Sequence, residues 1–137
     1  MHSLKNISII NLPKFEDLRG NLSFIEEETN VPFKIRRIYW IYDVPGGEFR
    51  GGHAFKETEE LIIALSGSFD VVLNDGRKEY RFNLNRSYYG VYVPNLIWRT
   101  IENFSTNSLA LVVASTEYSS NDYIRDFRYF QKESGDE

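Results

Sequence analysis

Residues 47–67 read Gly-Glu-Phe-Arg-Gly-Gly-His-Ala-Phe-Lys-Glu-Thr-Glu-Glu-Leu-Ile-Ile-Ala-Leu-Ser-Gly, and this stretch decides the fold. Side chains alternate across a β-strand, so Glu60, Ile62 and Ala64 share one face while Leu61, Ile63 and Leu65 share the other. Beyond Glu60 both faces are apolar. Such a strand must be covered on both sides, by a barrel interior on one and by another sheet or subunit on the other. Just upstream, Gly51, His53 and Phe55 fall on one face, so if His53 points inward Phe55 does too. Gly51 and Gly52 are too few to cradle a phosphate and read as turn and bulge residues.

Working outward, short apolar runs recur every 8 to 12 or so positions between turn residues, the pattern of a sandwich or barrel. Strands are expected over 8–12, 21–26, 35–42, 48–56, 59–66, 68–73, 79–83, 90–93, 98–103 and 108–115. Asn74-Asp-Gly76 marks a tight hairpin. A short helix is expected over 121–131, capped by Asn121 or Asp122. Residues 1–131 are read as one domain and 132–137 as a solvated tail. The 137 residues suit one core, with 42% hydrophobic and 15% aromatic content.

Several function classes are excluded by composition. There is no Cys, hence no disulfide or thiolate site. A net charge of −4 gives no general attraction for nucleic acid. No apolar run approaches the roughly 20 residues of a membrane span, and the N-terminus lacks a signal-peptide layout. A cytoplasmic protein is expected. P-loop, dinucleotide-binding and nucleophile-elbow motifs are missing as well.

The spacing of Gly47, His53, Glu60 and Gly67 is similar to the first motif of the cupins, G-x5-H-x-H-x(3–4)-E-x6-G, with Phe55 where a second His belongs. The stretch Pro94-Asn-Leu-Ile-Trp-Arg-Thr-Ile-Glu-Asn103 is similar to the end of the second, P-x-G-x2-H-x3-N, with Leu96 for the Gly and Arg99 for the His. A metal centre wants three or four converging ligands, which His53 and Glu60 alone do not supply. The expected fold is all-β, a cupin jelly-roll barrel (RmlC-like) with a short C-terminal helical segment and no metal.

More of the chain resembles the sugar-nucleotide 3,4-ketoisomerases, the WxcM-like cupins. The resemblance rests on Asp17-Leu-Arg-Gly-Asn-Leu22, Phe33-Lys-Ile-Arg-Arg-Ile-Tyr-Trp-Ile-Tyr42, Arg50-Gly-Gly-His-Ala-Phe-Lys56, Leu65-Ser-Gly-Ser68, Val91-Tyr-Val-Pro94 with Trp98, and Asp122-Tyr-Ile-Arg125. It implies a dimer that exchanges N-terminal strands. It also implies movement of a carbonyl between C4 and C3 of a dTDP-4-keto-6-deoxyhexose, without cofactor, for amino-sugar synthesis in surface glycans. The family pair of histidines is reduced here to His53 and Phe55, and the motif implies substrate contacts at Phe55 and Lys56.

The residues themselves say what such chemistry needs. Moving a carbonyl to the adjacent carbon passes through an enediol(ate), so it requires a base near neutral pKa, a hydroxyl donor and cations for the oxyanion. His2 lies at the chain end, which leaves His53 as the base. Tyr39 or Tyr42 can donate a hydroxyl. They lie on opposite strand faces, so only one enters the cavity, and Tyr39 shares its face with Arg37. Glu60 either orients His53, binds a sugar hydroxyl or pairs with an arginine such as Arg50. Arg19, Arg50 and Arg99 are the candidates for anionic oxygens, since the guanidinium is a planar fork of donors. Arg99, if inward, must meet either an anion or Glu60. Trp98 and Tyr92 offer stacking faces for thymine. Trp98 instead packs at a subunit interface if Arg99 faces its own barrel. Two other readings compete: a non-catalytic nucleotide-sugar-binding cupin, for which Phe55 argues, and a dTDP-sugar 3,5-epimerase with one His base and a Tyr acid.

Overall fold

The computed structural model describes residues 6–135. Twelve strands, one 3-10 turn and one α-helix follow in order: β1 Ser8–Asn11, β2 Lys14–Phe15, β3 Leu22–Ser23, β4 Arg37–Tyr42, β5 Arg50–Phe55, β6 Glu60–Ser66, β7 Phe69–Asn74, β8 Glu79–Leu84, β9 Tyr89–Val93, β10 Trp98–Glu102, β11 Leu109–Ala114, the 3-10 turn Ser120–Asp122, β12 Tyr123–Ile124 and α1 Phe127–Gly135. Two five-stranded sheets, β1-β9-β6-β11-β4 and β12-β5-β10-β7-β8, face one another as a jelly-roll barrel, and β2-β3 forms a separate hairpin. All of these strand pairs are antiparallel.

Alternation along the strands makes three apolar layers. Ile62, Ala64, Phe69, Val71, Leu73, Val91, Ile101 and Val112 fill the space between the sheets. On the outer face of the first sheet, Leu61, Ile63, Tyr92 and Val113 pack under Leu12, Val31 and Phe33. The strand expected to be covered on both sides is so covered, with the outer cover supplied by its own chain. On the outer face of the second sheet, Ala54, Ile124 and Phe130 pack with Trp98 and Phe127.

The ten expected strands are all present except that 21–26 shrinks to the two residues of β3. The short β2 and β12 were not expected from the sequence. The helix begins six residues later than expected. Asp126 caps it by accepting from the Tyr129 amide at 3.0 Å, and it runs through residues 132–135, where Ser134 is buried. Asp122 serves a different purpose. Its carboxylate accepts from the Glu57 and Thr58 amides at 2.7 and 3.2 Å and from the Thr58 hydroxyl, while the Lys56 amide donates to its carbonyl at 2.8 Å. Residues 122–124 are thereby stitched to the β5–β6 turn as an added strand.

Candidate active site

Four strands carry the site. β5 supplies His53 and Phe55, β6 Glu60, β10 Arg99, and β4 Arg37 and Tyr39, with Tyr123 added by β12. In β5 the ladder shifts register opposite β10, where Arg99 faces His53 and Ile101 faces Arg50. Gly51 sits at this bulge with φ +86°. A Cβ there would lie 2.4 Å from Arg99 Nη1, so only glycine lets the guanidinium lie flat beneath the strand.

Arg99 and Glu60 form a fully buried ion pair. Arg99 Nε donates to Glu60 Oε1 at 2.6 Å, and Nη2 donates to the Tyr39 hydroxyl at 2.6 Å and to Glu60 Oε2 at 3.3 Å. The Tyr39 hydroxyl in turn donates to Glu60 Oε2. Of the two outcomes open for Arg99, the internal pair with Glu60 is the one formed. Glu60 takes Arg99, not Arg50, as its partner, and its hydrogen bonds go to Arg99 and Tyr39 with none to His53. Burial raises the Tyr39 phenol well above its ordinary range, with Arg99 opposing and Glu60 adding to the rise. Tyr39 therefore stays protonated, and its one proton is committed to Glu60.

His53 is buried 4.8 Å, ring to ring, from both Phe55 and Tyr123. Burial, then the charges of Arg99, Arg125 and Arg37, bring its pKa down to about 3. The ring is neutral at pH 7. Among the described residues three buried side-chain nitrogens have no hydrogen-bond partner: Arg37 Nε, His53 Nε2 and Arg99 Nη1. All three belong to this one cluster. Buried polar groups are nearly always paired, so three orphans together single out this cluster as the candidate ligand site.

The other sequence candidates lie elsewhere. Trp98 points to the opposite face of β10, where it packs 5.2 Å from Phe127 and 5.7 Å from Phe130. There the chain's own helix lies against it. Tyr92 packs in the outer layer, with its hydroxyl bonded to Glu59. Arg19 is exposed and paired with Asp17 of its own turn at 3.0 Å. Arg50 and Lys56 are exposed at the ends of β5. Tyr42 is exposed on the far face of β4, as alternation required. His2 lies outside the described residues.

Three residues were missed. Arg37 was noted only as sharing the face of Tyr39, and Tyr123 and Arg125 only as part of a motif. Arg37 lies 5.4 Å above the Tyr39 ring and 5.7 Å above the Tyr118 ring, and Arg125 lies 4.4 Å above Tyr123. The signal available for Arg37 was its alternation with Tyr39.

Residues 5–135 match the family described as "FdtA: WxcM-like, C-terminal". The chain is 40% identical over 124 residues to a TDP-4-oxo-6-deoxy-alpha-D-glucose-3,4-oxoisomerase of Aneurinibacillus thermoaerophilus, covering 90% of this chain and 89% of that one. Among solved structures it is similar to a 3,4-ketoisomerase from Helicobacter canadensis, with TM-score 0.91, 40% identity, and 95% and 98% of the two chains covered. It is also similar to a histidine-to-asparagine mutant of the 3,4-ketoisomerase QdtA from Thermoanaerobacterium thermosaccharolyticum in complex with TDP-4-keto-6-deoxyglucose. Here the TM-score is 0.93 at 32% identity, with 97% and 96% covered. The jelly roll, the His53 motif and the matched length agree: this chain belongs to the FdtA, WxcM-like family.

Proposed function

We propose that this protein is a 3,4-ketoisomerase of a TDP-linked 4-keto-6-deoxyhexose. The observation that carries the reading is the convergence of a neutral, unpartnered His53 with the unpaired donors of Arg37 and Arg99. His53 Nε2 takes the proton from C3 as general base and returns one to C4. Arg37 and Arg99 hold the oxygens that gain negative charge as the enediolate forms, in a site too buried for water to screen them. Tyr39 and Glu60 act one layer back, fixing the guanidinium of Arg99. The diphosphate and the enediolate bring negative charge against three arginines, which shifts His53 back towards the range where it can hold a proton.

The cupin metal position does not fit a metal in this chain. Its four ligand places hold His53, Phe55, Glu60 and Arg99, and both Glu60 oxygens are already engaged. No group of three potential ligands occurs among the described residues. The Arg99 guanidinium supplies the positive charge where a metal would.

A homodimer is part of the reading. Ile38, Trp40 and Tyr42 are exposed on the outward face of the edge strand β4, and Phe15, Leu18 and Leu22 are exposed around the β2–β3 hairpin. An edge and an apolar face of this kind are suited to cover by a second copy. In the single chain β1 pairs with its own β9. No helix among the described residues is long and apolar enough to cross a membrane.

Phe55 favours one competing reading, a binding protein whose proton relay has been lost. NMR of TDP-4-keto-6-deoxyglucose in D2O with wild type and His53→Asn separates the two. Exchange at C3 with a new 3-keto signal, lost in His53→Asn, is the expected result. Binding with no exchange would leave the binding protein, and exchange at C3 and C5 without a moved carbonyl would mean epimerisation.

A further inference from the structure

We infer that Tyr123 is the second proton carrier of the site, doing at the substrate oxygens what a histidine at position 55 would do. The inference deepens the ketoisomerase reading and rests on it. Tyr123 is the direct cross-strand partner of Phe55 in the β12–β5 ladder, and the two ring centroids are 4.7 Å apart. Directly opposite side chains share one face and one space, so a carrier on either strand reaches the same region. The Tyr123 ring also lies 4.8 Å from that of His53. Its hydroxyl lies within electrostatic reach of Tyr39 and Arg99.

Tyr39, the sequence candidate for the donor, has no proton to spare. It donates to Glu60 and accepts from Arg99, and the buried ion pair holds it there. Tyr123 is half-buried, and its hydroxyl makes no hydrogen bond with another of the described residues. Arg125 lies over its ring, and the Asp122 bonds to the β5–β6 turn fix the backbone beside it. The phenol is thus held in place with its proton uncommitted.

The step balances without an external redox reagent. The C3–H bond breaks, its proton goes to His53 Nε2, and its electron pair forms the C3–C4 double bond. The π electrons of the C4 carbonyl move to O4, which takes the Tyr123 phenolic proton. In the return step the O3 proton goes to the Tyr123 phenolate, the C3 carbonyl forms, and His53 delivers its proton to C4. C3 is oxidised by two electrons, C4 is reduced by two, and both residues end as they began.

The test compares wild type, Tyr123→Phe and Tyr123→Phe/Phe55→His on TDP-4-keto-6-deoxyglucose, with TDP affinity measured by calorimetry. Tyr123→Phe keeps the ring packing, so it is expected to bind TDP within threefold of wild type. Its kcat should fall about 100-fold or more, within the range of a lost acid–base group. The double variant should recover at least tenfold of that loss. A kcat for Tyr123→Phe within threefold of wild type overturns the inference. Parallel loss of kcat and TDP affinity also overturns it, since that marks a packing role, and so does a double variant no faster than the single. A wild type that exchanges no C3 hydrogen defeats the ketoisomerase reading itself, a failure seen before either variant is tested.

Discussion

The barrel interior has two ends built from the same strands. Along β6 it passes from Glu60 to Ile62 and Ala64, along β10 from Arg99 to Ile101, and along β4 from Arg37 and Tyr39 to Ile41. A step of two residues keeps the side chain on the inner face but exchanges a charged group for an apolar one. The apolar end needs no particular partners, because the hydrophobic effect is non-directional. At the polar end every group must be matched, and the match is only partial. Arg99 and Glu60 satisfy each other, while Arg37 Nε, Arg99 Nη1 and His53 Nε2 remain open. One end thus holds the fold together, and the other leaves hydrogen-bonding groups open, which the proposed reading fills with substrate.

The strongest way to break this contrast is to unmatch the buried pair. Arg99→Met leaves the Glu60 carboxylate buried without its cation, and the loss should be about 3–5 kcal/mol in urea unfolding. The double variant Arg99→Met/Glu60→Leu should recover at least half of it, because an apolar pair costs less than a stranded charge. Equal stability of the single and double variants would show that Arg99 acts by packing alone. At the other end, Ile62→Ala removes three carbons from a fully buried position and should cost about 2–4 kcal/mol. The kcat of its folded fraction should stay within twofold of wild type. A tenfold drop would mean that the two ends are coupled.

A smaller effect tests the open groups. His53 has its pKa lowered to about 3 from an ordinary 6.5. Between those values the unfolded chain binds a proton that the folded chain refuses, so stability rises with pH, and His53 makes the fold weaker as pH falls from about 6.5 towards 3. Asn at this position has no proton to gain. The stability of wild type relative to His53→Asn should therefore decline between pH 7 and pH 4.5, as read by urea midpoints. Parallel curves for the two proteins would place His53 in contact with solvent rather than among arginines.

How much of this was legible in the sequence follows from the same contrast. Recurring short apolar runs and motif spacing pointed to the barrel, while strand alternation placed His53 and Phe55 on one face in 50–55 and separated Tyr39 from Tyr42 in 37–42. All of these are local regularities of the sequence. What the sequence left open was pairing. It named Glu60 and Arg99 but could not choose between an anion and an ion pair, since residues 39 positions apart meet only through the β10–β5 and β6 geometry. Tyr123 was hidden because a two-residue strand has no periodicity to read, and Asp122, a good helix cap by type, turned out to cap the β5–β6 turn. Alternation gave Trp98 the face opposite Arg99, but the helix that packs on that face lies about 30 residues on in sequence, beyond the reach of a local pattern.

Leu96 lies at the edge of the polar end, in the turn that leads into β10. It occupies the motif glycine's place, its φ is +62°, and its amide donates to the Phe55 carbonyl at 2.8 Å. A left-handed conformation costs an L-residue about 1–2 kcal/mol, so the barrel holds this loop in its cupin shape although the residue resists it. Leu96→Gly relieves that strain. It also loosens the unfolded chain by about 0.5–1 kcal/mol, and it removes a partly buried side chain packed against the cluster of Ala54, Ile124 and Phe130. These terms oppose one another, so the net change should stay within about 1 kcal/mol, well under the 2–5 kcal/mol of an ordinary buried leucine truncation. A loss above about 2 kcal/mol would show that contact with the α1 layer, rather than the backbone shape inherited with the motif, fixes what position 96 tolerates.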